Sequence, residues 1–355
     1  MRKIIALCTA LLFILSACIH ISSQMEIRNV TKVLANNAVQ ETCITGDTLY
    51  YDVLYPTDIC VIDTFVLIAQ HKDKHLIHVY GLQDTCLLGK FLQQGGGPNE
   101  VNQWNGFIQY WKENGEVKML VQSYLQYVAI LNVNRSLKAK KAIFEKRFSF
   151  DKDSAKAVMQ RSNVAYLMND QFLITRAPER TKGLRDYNPS FQQFDFAKDQ
   201  PGDVIYAMDL KTIDSPFLYV PGGISLRPSG GKLCYACRFL NTFSILDTTD
   251  GEALQVYSDN KDLDTEAIAD ARKSSVYYAD VTSTNDYLFL ATYGGVDYDK
   301  MKEGGTVIEV YDWQGKHIHR FLTTDVIYYM SIDETGHNLY AVIEDGGMKR
   351  YSLVY

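Results

Sequence analysis

Apolar residues along this chain come in short runs, and one kind of run recurs six times. It reads TFVLIA at residue 64, VKMLVQ at 117, QFLITR at 171, KLCYAC at 232, YLFLAT at 287 and NLYAVI at 338. The starts lie about 50–60 residues apart, the scale of a repeated supersecondary unit. Each run follows a turn signal: Asp63, Asn114-Gly115, Asn169-Asp170, Gly230-Gly231, Asn285-Asp286 and Thr335-Gly336. Such residues tolerate the positive φ of tight hairpins. A strand precedes each turn (ICVI, GFIQYW, VAYLM, GISLRP, VYYADVT, IYYMSID) and another follows each run (HLIHVYGL, YVAILNV, SFQQFDF, FSILDT, VIEVYDW, MKRYSLVY). The first five units add a fourth strand: CLLGKFLQ, KAIFEKRF, one near VIYAMDL, ALQVYS and HIHRFLT. No stretch keeps a helical period over a useful length.

Six four-stranded antiparallel units in series predict an all-β fold, a six-bladed β-propeller. One blade cannot bury both of its faces, and radial stacking buries them against its neighbours. A pair of β-sandwiches or a solenoid fits the spacing less well. The last unit, Val326 to Tyr355, has only three strands. An N-terminal strand is therefore expected to complete the last blade and close the ring. The expected segment lies between Glu26 and Val53, with VQETCITG and TLYYDVLY as the two options.

The N-terminus reads as a targeting segment. Arg2-Lys3 is followed by an apolar core from Ile4 to Leu15 and then by Leu15-Ser16-Ala17-Cys18. The core is too short to span a membrane and has the proportions of a secretory signal. The tetrapeptide resembles the bacterial lipobox, in which the cysteine is diacylated and becomes the mature N-terminus. The expected organisation is a signal peptide over 1–17, a lipidated cysteine and tether over 18–25, and the propeller over 26–355. Two or three acyl chains anchor stably where one does not. The membrane, reached through lipid at Cys18, is thus the first expected partner. No acidic run follows Cys18, which favours the periplasmic leaflet of the outer membrane over surface display.

Composition changes the picture little. The 24 tyrosines and 16 phenylalanines suit a pleated, half-buried surface. The net charge is −6 and becomes more negative once Arg2 and Lys3 leave with the signal. An acidic body lacks the basic footprint of nucleic-acid binding, so no nucleic-acid partner is expected. Beyond Cys8 and Cys18 there remain Cys43, Cys60, Cys86, Cys234 and Cys237, which permit one disulfide without needing one. Cys234 and Cys237 have metal-like spacing, but residues i and i+3 of a strand face opposite sides and cannot share an ion.

In a propeller, loops after the second and fourth strands emerge on one face, around the channel mouth. Here that face gathers the unusual sequence. Gly95-Gly96-Gly97-Pro98-Asn99-Glu100 leads to Trp104, and a long loop carries Arg176, Arg180 and Arg185. Arg238 and Tyr293 belong to the same side, as do His71, His75 and the acidic stretch Asp297, Asp299 and Glu303. The glycine run lacks the following helix and Lys-Ser/Thr of a P-loop and reads instead as a crossover needing positive φ. Asp297, Asp299 and Glu303 offer oxygen ligands for calcium without the twelve-residue loop pattern. The three arginines suit a carboxylate or anionic sugar. Ligand-binding candidates are therefore Asn99, Glu100, Trp104, Arg176, Arg180, Arg185, Arg238 and Tyr293. No catalytic residue is singled out.

With the lipobox, the six units and Gly96-Gly97-Pro98-Asn99-Glu100 in place, the chain resembles the TolB-like six-bladed β-propeller lipoproteins of gut-type Gram-negative anaerobes. In that family a G-x-G-P-N-E segment follows the first blade, although Gln93-Gln94 here stands where a basic residue and glycine are more usual. The resemblance covers the mature chain and implies fold and address, with no catalytic residues to carry over. Two functions are weighed: a lipid-anchored module binding a protein, glycan or peptide through its loop-rich face, and a periplasmic hydrolase or lyase at the channel mouth, with calcium as its one considered cofactor. The lack of a catalytic constellation favours the first.

Overall fold

The computed structural model describes residues 30–35, 38–97, 99–104, 106–107, 109–124, 126–150, 164–168, 171–175, 189–209, 221–258 and 274–355. The expected signal segment, Cys18 with its tether, and Arg176, Arg180 and Arg185 lie outside the described residues.

Six small sheets stand in a ring as a six-bladed β-propeller. All six recurring runs form the second strand of a blade: Phe65–Gln70, Glu116–Ser123, Gln171–Thr175, Lys232–Cys237, Tyr287–Asp297 and Asn338–Ile343. Each lies between its blade's innermost and third strands. Neighbouring blades cover both faces there, so Phe65–Gln70 is buried at every residue and reads as a continuous apolar run. The core consists of the seams between blades. Leu120, Val128, Ile130 and Phe148 of blade 2, for example, pack on Phe172, Ile174 and Phe194 of blade 3.

The ring closes as the three-stranded last unit requires. Asp47–Leu49 pairs antiparallel with Met348–Ser352, with Leu49 opposite Met348 and Asp47 opposite Arg350. Of the two expected segments, TLYYDVLY contributes its first two residues, Thr48 and Leu49, to the closing strand, which begins one residue earlier at Asp47. The other, VQETCITG, has a different role. Its Glu41–Cys43 pairs parallel with His317–Thr323, the outermost strand of blade 5. Upstream, Val30–Leu34 pairs parallel with Ala253–Tyr257 of blade 4. The N-terminal segment is therefore a belt over blades 4, 5 and 6, held also by side chains. Glu41 pairs with Arg320, Thr42 Oγ1 lies 2.9 Å from His319 Nε2, and Lys32 pairs with Asp209 at 3.1 Å. The chain joins the ring at blade 4, not at the last blade.

Three local readings are corrected. A helix, Val133–Ala139, connects the third and fourth strands of blade 2. The Asn132 side chain accepts from the Arg135 N–H to cap it, and Lys140 ends it in the left-handed conformation. At about two turns it is too short to show a period. The first strand of blade 2 is Tyr110–Glu113 rather than GFIQYW, and the fourth of blade 3 is Gln200–Tyr206, earlier than VIYAMDL. Cys43, Cys60, Cys86, Cys234 and Cys237 are all free thiols. Cys234 is buried with Phe243 and Tyr278, while Cys237 is buried with Leu240 and Met208 on the other face.

Candidate functional site

Four innermost strands share an irregularity near their entry at the channel mouth. In blade 1, Pro56 pairs with Gln70 but Asp58 pairs with Ala69, so the inner strand carries one extra residue. The same slip places Gly223 opposite Ala236 in blade 4, Asp280 opposite Ala291 in blade 5 and Tyr329 opposite Val342 in blade 6. A bulge bends its strand and re-aims the side chain that follows. Asp58, Gly223, Asp280 and Tyr329 consequently occupy one level of the channel wall, and all line one cavity of about 250 Å³.

The two aspartates are built in the same way. Asp58 Oδ1 accepts from the Ile59 N–H at 2.8 Å, and its Oδ2 accepts from the Phe107 N–H of blade 2 at 2.7 Å. Asp280 Oδ1 accepts from the Val281 N–H at 2.8 Å, and its Oδ2 accepts from the Met330 N–H of blade 6 at 2.7 Å. Each thus staples its inner strand to that of the next blade. Burial pushes the Asp58 carboxyl up to about 7, outweighing its two backbone bonds. Burial, reinforced by the facing charge of Asp58, pushes Asp280 well above the usual carboxylate range, against two backbone bonds and Arg238. Among the described residues neither carboxylate forms an ion pair.

Glycine makes this geometry possible at two places. Gly106 has φ of +95°, and a Cβ there would meet Asp58 Oδ2 at 2.4 Å. A Cβ on Gly223 would meet the Val281 nitrogen at 2.5 Å, so blades 4 and 5 approach backbone to backbone. Below the carboxylates Tyr110 reaches across from blade 2, its hydroxyl 3.2 Å from Ser331 Oγ of blade 6. Ser331 Oγ in turn accepts from the Val61 N–H at 2.8 Å.

The structure divides the residues singled out in the sequence. Arg238 and Tyr293 come together above Asp280. Each directly follows the second-strand residue, Cys237 or Thr292, where the slip in its blade occurs. The charge of Arg238 acts on Asp280, Tyr293, Tyr328 and Tyr329. The Tyr293 hydroxyl donates to the Ile327 carbonyl at 2.6 Å, so it also seams blades 5 and 6.

Asn99 and Glu100 sit elsewhere, lining a separate cavity of about 220 Å³ with His75, Gln93, Lys140 and Lys141. Glu100 turns back on its own loop, its Oε2 accepting from the Gly97 N–H at 2.9 Å. A Cβ on Gly97 would meet that oxygen at 2.9 Å. Neither Gly96 nor Gly97 has positive φ. Room for the carboxylate, rather than a left-handed turn, explains the glycine at 97.

Trp104 is 4% exposed and packs edge-on against Phe107, with ring centroids 5.2 Å apart. It supports from behind the residue whose N–H binds Asp58, and offers no open ring face. Asp297, Asp299 and Glu303 string along an exposed 3-10 helix, and Asp297 pairs with Lys300 at 2.8 Å. Among the described residues no three His, Cys, Asp or Glu side chains gather to hold a metal, so the calcium grouping does not converge.

Asp58 and Asp280 were not singled out in the sequence. The available signal was a carboxylate inside each of two first strands, followed both times by a β-branched residue, Ile59 or Val281.

No protein-family model matches the chain, and no curated protein matches it by sequence. Its likenesses are to solved structures. A member of the DUF4221 family from Bacteroides vulgatus superposes with TM-score 0.57 at 9% identity, over 87% of this chain and 97% of that one. Raptor from Chaetomium thermophilum gives TM-score 0.49 at 10% identity, over 86% of this chain and 29% of that one. At such identity the first likeness speaks to fold alone: this chain shares its fold with a solved structure of nearly the same extent.

Proposed function

We propose that this protein is a cell-envelope binding module, anchored by lipid at Cys18 in the manner of the TolB-like propeller lipoproteins, that receives its ligand at the channel mouth. The observation carrying this reading is the channel cavity itself. It holds two half-buried carboxylates that, among the described residues, form no ion pair, near Arg238 and an exposed Tyr329. Concave sites with a few convergent polar groups are where ligands bind. Capture of envelope ligands by the purified full chain should be lost in Tyr329→Ala and Arg238→Ala. Undiminished capture by both variants would place the site elsewhere. Fractionation tests the anchor: Cys18→Ser should move the protein out of the membrane fraction.

One observation favours the enzymatic alternative, a hydrolase or lyase at the same mouth. A carboxyl held at about 7 is poised for general acid–base work near neutral pH. Turnover of a glycan or lactone that Asp58→Asn abolishes would establish it. Absence of turnover alongside intact ligand capture leaves the binding module.

A further inference from the structure

We propose that the channel mouth is a receptor for one organic monocation, an ammonium or guanidinium group entering between Asp58 and Asp280 with its apolar stem beside Tyr329. This rests on the channel-mouth reading above and names its ligand class.

Charge counting selects a monocation. With both aspartates ionised and Arg238 charged, the site carries one net negative charge. Arg227 also lines the cavity, but it lies four residues beyond Gly223, about 13 Å along the channel from the carboxylate level, where its Nε donates to the Asn285 carbonyl at 2.8 Å. The remaining titratable groups facing the carboxylates, among the described residues, contribute nothing near neutral pH. Burial pushes up the phenols of Tyr110, Tyr293, Tyr328 and Tyr329 and the thiol of Cys60, which stay neutral. Lys302 and Glu344, beside Tyr328, cancel as a 2.7 Å pair. One positive charge balances the carboxylate level, whereas an anion or a dication leaves it unbalanced.

Hydrogen bonding selects a nitrogen cation over a metal. Each carboxylate oxygen already accepts one backbone N–H and keeps one lone pair. That capacity matches the three N–H groups of an ammonium or the fork of a guanidinium. Calcium asks for roughly six to eight oxygens. The walls select an organic stem: Phe107, Trp111, Tyr329 and Met330 line the cavity, and a cation beside a tyrosine face gains further attraction. At about 250 Å³ the space falls below the roughly 300–1,000 Å³ of drug-sized sites. It fits a small amine or a single basic side chain.

In the unliganded site a proton does the cation's work, bound to the carboxyl pair. Entry of the ligand ionises the pair and releases that proton to solvent, R–NH₃⁺ replacing H⁺ at the carboxylates. Affinity should therefore rise with pH from about 6 to about 8.

Calorimetry on the full chain, in two buffers of different ionisation heat, tests this with n-butylammonium, n-butylguanidinium, butanol and butyrate. The cations should bind with proton release, and butanol and butyrate at least about tenfold more weakly. Asp58→Asn and Asp280→Asn should each reduce both cation affinity and proton release. Should these variants fold poorly, the pH profile of the unaltered protein carries the same test. A blocked lysine tripeptide run beside butylammonium separates the two sources of such a group. Tighter tripeptide binding points to a partner protein's side chain, and tighter amine binding to a free metabolite. Equal binding of butyrate or butanol, cation binding without proton release, or displacement of the amine by calcium would overturn the inference. Envelope-ligand capture that depends on Tyr329 but shows no preference for cations would also overturn it, while leaving the binding module standing.

Discussion

Asp58 serves two demands that pull its protonation in opposite directions. Two backbone N–H groups favour the carboxylate, and burial favours the acid; burial wins by enough to raise the group from 3.8 to about 7. The folded chain thus binds a proton between these values that the unfolded chain does not. The resulting stability is fully present below about pH 4 and is lost as pH rises through about 7, a change on the order of 4 kcal/mol for an isolated group. Urea unfolding of the native protein should therefore weaken across this window relative to Asp58→Asn, which has no such proton to lose. Parallel profiles would mean that Asp58 is ordinary. At this scale the sequence revealed residue type but not use. Glu100 has one carboxylate oxygen held by the Gly97 N–H and lines a cavity apart from the channel, and Trp104 looked like a binding platform and is a buried prop. The carboxylates that do face the channel cavity looked like interruptions in their strands.

Among the elements, legibility follows from whether a feature belongs to one strand or to a relation between two. The six second strands are buried on both faces, so each carries its own apolar signature and all were found. The bulges that set Asp58, Gly223, Asp280 and Tyr329 at one level are a mismatch of register between inner and second strands, which no single stretch displays. The belt strands were hard to read for another reason. Val30–Leu34, Glu41–Cys43 and Asp47–Leu49 are short and mostly exposed, so they show neither alternation nor a continuous apolar run. Their unequal roles give a prediction. The first two add a fifth strand to blades already four-stranded, whereas Asp47–Leu49 supplies the fourth strand of blade 6. Deleting residues 30–43 should lower the urea midpoint yet leave one cooperative transition. Deleting through Leu49 opens the ring and should abolish that transition. Equal, mild effects of both deletions would show that closure does not depend on this strand.

For the whole molecule, the belt decides how a lipid-anchored ring would sit. The final three-stranded unit implied entry of the N-terminal chain at blade 6, but the belt enters at blade 4 and passes blade 5 first. From Cys18 to Val30 a fully extended chain reaches at most about 40 Å. If Cys18 carries the lipid, the rim of blades 4 and 5 is tethered close to the bilayer, and blade 1 joins the chain only after the belt has run its length. Two native thiols report on this without any engineered site. Cys43, on the belt at blade 5, and Cys86, on blade 1, are both exposed and free. A fluorophore on Cys43 should be quenched more strongly by headgroup-labelled lipids than one on Cys86, and the difference should vanish in Cys18→Ser. Equal quenching at both thiols would mean that the ring tumbles freely on its tether. The channel mouth would then have no fixed aspect towards the membrane, and a ligand would reach it from any side.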